Sequence, residues 1–199
     1  MVTVSLTFDD GPGPSTLELL DVLRNAGCKA TFFVLGANLV DSPEVAIKAV
    51  QDGHVLGNHT YSHARPGDLS SDALLQELCI TDALILQAYQ QAGKPAPAHI
   101  PVRLPYGVLP HDPRPLVLEK PGRSHVGWTM ILDDWHRPQP APEILLKAMQ
   151  AHVSEQTQQG ENTSFCLHDS SRHQEPRPAT VQAVALWLAS CAPCYDGIS

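Results

Sequence analysis

Two aspartates, Asp9 and Asp10, stand side by side at the end of an apolar run. Two histidines lie four residues apart in His59-Thr60-Tyr61-Ser62-His63. Adjacent carboxylates repel unless they share a proton or a cation. Two imidazoles at this spacing share one face of a helical turn and can chelate one metal ion. Asp10-Gly11-Pro12 is also ordinary turn chemistry, which accounts for the aspartate beside the glycine but not for the histidine pair. One carboxylate and two imidazoles leave coordination positions open, as a hydrolytic metal centre requires. His168 could serve as a general acid opposite such a centre. Arg103 could hold a carboxylate ionised and aimed. Trp135, beside Asp134, suits either packing or the aromatic wall of a sugar site.

Each of these residues sits just past an apolar segment. Residues 2–8, 29–35, 54–57, 99–103, 125–131 and 163–167 read as strands, although Pro101 interrupts one of them. Ser15 and Glu18 suggest a capping box that opens a helix ended by Gly27. Ser42 and Pro43 suit the N-cap and first position of a second helix ended near Gly53. Residues 71–92, 142–159 and 179–190 read as further helices, and the Pro-rich stretch 104–123 as irregular. Alternating strands and helices predict an α/β fold with a parallel sheet and helices outside. In a (β/α) barrel the strand ends converge on one face, so one site would gather all of these polar residues. No internal boundary divides residues 1–199, which are expected to form a single domain.

With 199 residues, the chain can bury a full core without disulfides. Its net charge of −8 argues against a nucleic-acid partner, which needs a basic surface. No run of about 18 apolar residues predicts a membrane span. The start, Val2-Thr3-Val4, shows neither a basic nor an apolar leader segment, so a cytoplasmic protein is expected, or a secreted or periplasmic one if a leader has been removed. Five cysteines fit reduced thiols better than a disulfide framework. Cys191-Ala192-Pro193-Cys194 is a CxxC, but it follows a helical stretch instead of opening one, unlike redox motifs.

Thr7-Phe8-Asp9-Asp10-Gly11-Pro12 resembles the first motif of the polysaccharide deacetylases, the NodB-homology or carbohydrate esterase family 4 domain. His59-Thr60-Tyr61-Ser62-His63 resembles the second, Arg103-Leu104-Pro105-Tyr106 the third, Asp134-Trp135 the end of the fourth, and Leu167-His168-Asp169 the fifth. Their order and spacing match from residue 2 to about 190. The resemblance implies a distorted (β/α) barrel and one divalent metal ion, zinc first, with cobalt or nickel as alternatives. It implies that Asp10, His59 and His63 hold the metal and that Asp9 is the general base, held by Arg103. The backbone N–H of Tyr106 would help bind the oxyanion, and His168 would protonate the leaving amine. Pro105, Tyr106, Asp134, Trp135, Cys166 and Leu167 are expected to contact substrate.

Two departures bear on substrate. The first aspartate of the fourth motif falls on Ile131, leaving His168 without its usual carboxylate. Asp133, two residues on and so on the same face of an extended strand, is the expected replacement. The leucine of the fifth motif is Cys166, which predicts a roomier acyl pocket. The expected activity is removal of N-acetyl groups from N-acetylglucosamine-containing oligo- or polysaccharides of chitooligosaccharide or peptidoglycan type. Alternatives are an amidase or imidase on a small molecule, an O-acetyl esterase on xylan, or a non-catalytic sugar-binding protein.

Overall fold

Apolar runs bounded by glycine turns build a parallel sheet in the computed structural model, which describes residues 2–190. Its strands are β1 (Val4–Asp9), β2 (Thr31–Val34), β3 (Val55–Asn58), β4 (Met130–Ile131) and β5 (Thr163–His168), in the order β3-β2-β1-β5-β4. All four pairings are parallel. Parallel strands are covered on both faces, so their sequences run apolar without strict alternation. Leu6, Phe8, Phe32, Phe33, Phe165 and Leu167 are accordingly all buried.

The helices are α1 (Thr16–Asn25), α2 (Gly36–Asp41), α3 (Pro43–Gln51), α4 (Ser71–Gln91), α5 (Arg114–Glu119), α6 (Pro142–Gln159) and α7 (Pro178–Ser190). Leu19, Leu20 and Leu23 of α1 share one core with Met149 of α6 and Val184 and Trp187 of α7. Full burial of such a side chain contributes about 1.5–3 kcal/mol, so this layer anchors the strands whose ends carry the polar residues. Gly27 and Gly53 follow α1 and α3 in the left-handed conformation, with φ of 65° and 85°. That conformation ends a helix without Cβ strain.

Three expectations are corrected. Ser15 makes no cap bond to α1; its hydroxyl accepts the Arg177 N–H at 2.7 Å instead. The stretch 104–123 is not wholly irregular, because Val117 and Leu118 of α5 are buried against Leu74 and Leu78 of α4. Two expected strands are short. Of residues 99–103 only Val102 bridges its neighbours, Asn58 and His125, since Pro101 has no N–H to give. Of residues 125–131, only Met130 and Ile131 form a regular strand.

That last segment nevertheless borders both edges of the row. At its start Val126 N–H donates to the Val102 carbonyl (2.8 Å). At its end Thr129 N–H donates to Ser164 and Leu132 N–H to Cys166, both at 2.9 Å. The C-terminal ends of β1, β3 and β5 and the loops after Val102 and Ile131 thereby face one cavity. Cys191 and Cys194 lie outside the described residues.

Candidate active site

β1 ends on Asp9, which is buried, and the chain leaves it through Asp10 in the left-handed region, φ 72°. Asparagine and aspartate tolerate that conformation better than most residues. The turn is held by Asp10 N–H donating to the Phe33 carbonyl (3.2 Å) and by the Asn38 amide donating to the Asp10 carbonyl (2.7 Å). Side by side in sequence, the two carboxylates acquire different main partners, although His59 Nε2 lies near both, 3.8 Å from Asp9 Oδ2.

Asp10 faces the histidines. Its Oδ1 lies 3.5 Å from His59 Nε2 and 3.2 Å from His63 Nε2. No helix carries the pair: Thr60 and His63 have φ of 68° and 56°, so the expected helical turn is replaced by a looped chain. Glu77 of α4 fixes that loop, accepting the N–H groups of Tyr61 and Ser62 at 3.1 Å each and the Ser62 hydroxyl at 2.6 Å. His59 Nδ1 donates to the Arg103 carbonyl at 2.7 Å. The acceptor fixes the tautomer, so His59 Nε2 presents a lone pair toward Asp10. Asp10 Oδ1 is buried and receives no hydrogen bond, a costly state for a carboxylate oxygen in protein alone. An oxygen without a donor, facing two imidazole nitrogens, fits a divalent cation. Burial pushes the His63 imidazole down to about 4, against the pull of Asp10, so the ring is neutral at neutral pH. Asp10, His59 and His63 could hold a metal ion.

Asp9 faces Arg103. Nη1 of the guanidinium donates to Asp9 Oδ1 at 2.8 Å and to Thr7 Oγ1 at 2.6 Å. Nε and Nη2 donate to the carbonyls of Val126 (3.0 Å) and Gly127 (3.1 Å). The guanidinium lies over the Phe33 ring, 4.1 Å from its centroid. Burial alone would raise the Asp9 carboxyl, but the Arg103 charge and hydrogen bond, with the His168 charge, hold it below the ordinary carboxylate value. Asp9 is therefore ionised at neutral pH and held in one orientation.

His168 lies at the end of β5, in register with Asp9. Its Nδ1 is 2.7 Å from Asp134 Oδ1. Asp134 Oδ2 also accepts the His168 N–H (2.8 Å) and the Thr180 hydroxyl (2.9 Å). Burial works against the imidazolium, but the Asp134 charge and hydrogen bond outweigh it, and the ring is pushed up to about 9. Asp134, expected at the substrate, thus lies beneath the histidine. Asp133 is not its partner; its side chain is 69% exposed and nearest His136 (3.9 Å). A 3-10 turn over Asp133–Trp135 breaks the strand alternation on which that expectation rested, and rotates Asp134 inward.

Asp9, Asp10, His59, His63, Cys166 and His168 line one cavity of about 350 Å³, walled by Leu104, Tyr106, Gly107, Trp128, Ile131 and Trp135. Tyr106 (φ 64°) and Trp135 are about half exposed at its rim. Cys166 Sγ is 3.3 Å from Asp9 Oδ2. Pro105 and Leu167 do not reach the cavity. The Pro105 carbonyl accepts from Arg114 (2.9 Å), and Leu167 points into the core on the opposite face of β5 from Cys166 and His168. Trp128, Glu77 and Thr180 went unrecognised in the sequence, as did Asp169. Buried Asp169 accepts the Thr16 hydroxyl at 2.5 Å, and its carboxylate fills the space a Cβ on Gly11 would need.

A family profile described as "Polysaccharide deacetylase" matches residues 2–120. A chitooligosaccharide deacetylase from a Bradyrhizobium strain is 36% identical over 137 residues, 68% of this chain and 60% of that protein. A peptidoglycan-N-acetylglucosamine deacetylase from Bacillus cereus is 33% identical over 133 residues, 66% of this chain and 46% of that protein. The family 4 carbohydrate esterase from Streptomyces lividans, solved in complex with acetate, superposes with a TM-score of 0.73 at 28% identity, over 95% of this chain and 88% of that one. The chain spans between 40% and 60% of the length of the first curated relatives it matches. Among the described residues no helix is long and apolar enough to cross a membrane. Cys166 and His168 lie beyond the matched profile but line the same cavity as Asp9 and Asp10, and on sequence, fold and site together the chain belongs to the polysaccharide deacetylase family.

Proposed function

We propose that the chain is a metal-dependent hydrolase that removes N-acetyl groups from N-acetylglucosamine-containing oligo- or polysaccharides. The observation that carries this is the division of labour between adjacent carboxylates: Asp10 faces two imidazole nitrogens, while Asp9 is gripped by a buried arginine. Asp10, His59 and His63 would hold one divalent ion, zinc or in its place cobalt or nickel. Such an ion supplies Lewis-acid polarisation of the acyl carbonyl and makes water acidic enough to attack near neutral pH.

The other steps belong to the chain. Asp9, kept ionised by Arg103, takes a proton from the attacking water. The Tyr106 N–H donates to the oxygen that gains charge at the acyl carbon. His168, kept protonated by Asp134, gives its proton to the amide nitrogen as the C–N bond breaks, releasing acetate and a free amine. Tyr106, Trp128 and Trp135 offer apolar ring faces to a sugar, a surface that suits pyranose stacking. The chitooligosaccharide and peptidoglycan activities named for the relatives support this substrate class.

The test is acetate release from chitooligosaccharides and from N-acetylated peptidoglycan glycan. Release should stop on chelation and return with one equivalent of zinc or cobalt. A metal-replete, folded protein that releases no acetate from either glycan overturns the proposal.

A further inference from the structure

The wall of the cavity beside Asp10 carries a second set of donors. β1 and β5 pair with Thr7 opposite Cys166 and Asp9 opposite His168. Residues two apart on a strand share a face, so Cys166 and His168 project side by side, next to Asp9. One ligating atom from each of the three lies within 4.8 Å of the other two. Two of the donors are oriented from behind. Arg103 occupies Asp9 Oδ1 at 2.8 Å, which leaves Oδ2 beside the Cys166 sulfur at 3.3 Å. Asp134 occupies His168 Nδ1 at 2.7 Å, which leaves Nε2 available. A carboxylate behind an imidazole is the arrangement that fixes the tautomer and raises the basicity of zinc-bound histidines.

The donor chemistry differs from that around Asp10. Thiolate with imidazole selects soft or borderline ions over magnesium and calcium. The sulfur is buried and, in the absence of a cation, donates its proton to Asp9. A coordinating ion displaces that proton to solvent, as metal-bound thiols are deprotonated.

We propose that Asp9, Cys166 and His168 form a second cation site, selective for soft divalent ions such as cadmium or zinc in excess, whose occupation blocks hydrolysis by capturing the carboxylate and the imidazole that move protons. The inhibitory half rests on the deacetylase function proposed above; the binding half does not.

The experiment uses protein loaded with one equivalent of zinc, in a Cys79→Ser, Cys191→Ser, Cys194→Ser background that leaves only Cys166 and the buried Cys28. Cadmium is titrated in, and the ultraviolet thiolate-to-cadmium charge-transfer band is followed beside acetate release. One further equivalent should bind with that band, and acetate release should fall in step with it. Cys166→Ser, close to isosteric, and Cys166→Leu should each abolish the band and raise the cadmium concentration needed for inhibition at least about tenfold. Asp134→Asn should weaken cadmium binding by about 10–100-fold, the range for lost partners of metal-bound histidine. A band that persists undiminished in both Cys166 variants, or a second equivalent that binds without one, overturns the site. If acetate release is absent from the outset, the deacetylase proposal fails, and the band still decides whether the site exists.

Discussion

Replacing Asp134 by asparagine should move the alkaline limit of activity by more than two pH units. His168 titrates at about 9, because Asp134 and its hydrogen bond outweigh the burial that disfavours the imidazolium. Asparagine keeps the shape and can still accept from Thr180 and the His168 N–H, but it carries no charge. Burial then prevails, and the ring falls to its ordinary 6.5 or below, a change of about 2.5 units or 3 kcal/mol. In the proposed mechanism the protonated ring is the working form of the acid, so activity is lost as pH rises through its pKa, and a lower pKa moves that loss to lower pH. At pH 8 a ring titrating at 9 is about nine-tenths protonated and one at 6.5 about 3%. Roughly 30-fold of kcat should therefore disappear at pH 8 from protonation alone, and much less at pH 6. A cation bound beside Asp10 lowers both profiles, so the quantity to read is the displacement between wild type and variant. Asp133→Asn is the control, since Asp133 faces solvent and His136. An unmoved limb in Asp134→Asn, or an equal displacement in Asp133→Asn, would refute the assignment.

Other substitutions separate the remaining roles. His63→Ala should lose the bound metal, read by metal analysis of the folded protein, whereas Asp9→Asn should keep it and lose about 10²–10⁴ in kcat. Loss of metal in Asp9→Asn would mean that the two aspartates have exchanged roles. Cys166→Leu should narrow the acyl pocket and shift the propionyl-to-acetyl hydrolysis ratio toward acetyl by about 1 kcal/mol. His54 predicts an acid limit of stability. It is buried, accepts the Ala30 N–H at 3.2 Å and is pushed by burial down to about 4. The unfolded chain therefore binds a proton that the folded one refuses. The associated stability is complete above pH 6.5 and is lost as pH falls toward 4, at most about 3 kcal/mol. Denaturant melts across that interval should show a shallower acid slope in His54→Phe than in wild type.

Much of the fold and of the candidate site is legible in the sequence. Polar residues placed just past apolar runs located the site, because strand ends in a parallel α/β fold face one way. The local geometry was less accessible. His59 and His63 meet through left-handed residues and through Glu77, which lies on a different element. Nothing in a five-residue window shows that support. Asp134 was misassigned because strand alternation was carried through Asp133, where the chain turns into a 3-10 conformation instead. Leu167 is a different case: the period of two that groups Cys166 with His168 excludes it from the cavity, and that signal lay in the sequence.

Arg103 is both the grip on Asp9 and a clasp between distant parts of the chain. It joins the end of β1, through Thr7 and Asp9, to the carbonyls of Val126 and Gly127 on the segment that borders both edges of the sheet. Removing it would strand a buried carboxylate, a loss of about 3–5 kcal/mol, and release that segment as well. In the proposed mechanism, reactivity and foldedness therefore draw on one side chain. A descendant that abandoned the chemistry would still be selected to retain it, whereas His63, which the fold uses far less, would be free to drift. In sorting working members of this family from silent ones, an intact arginine at this position carries little information, and the imidazole across the cavity carries a great deal.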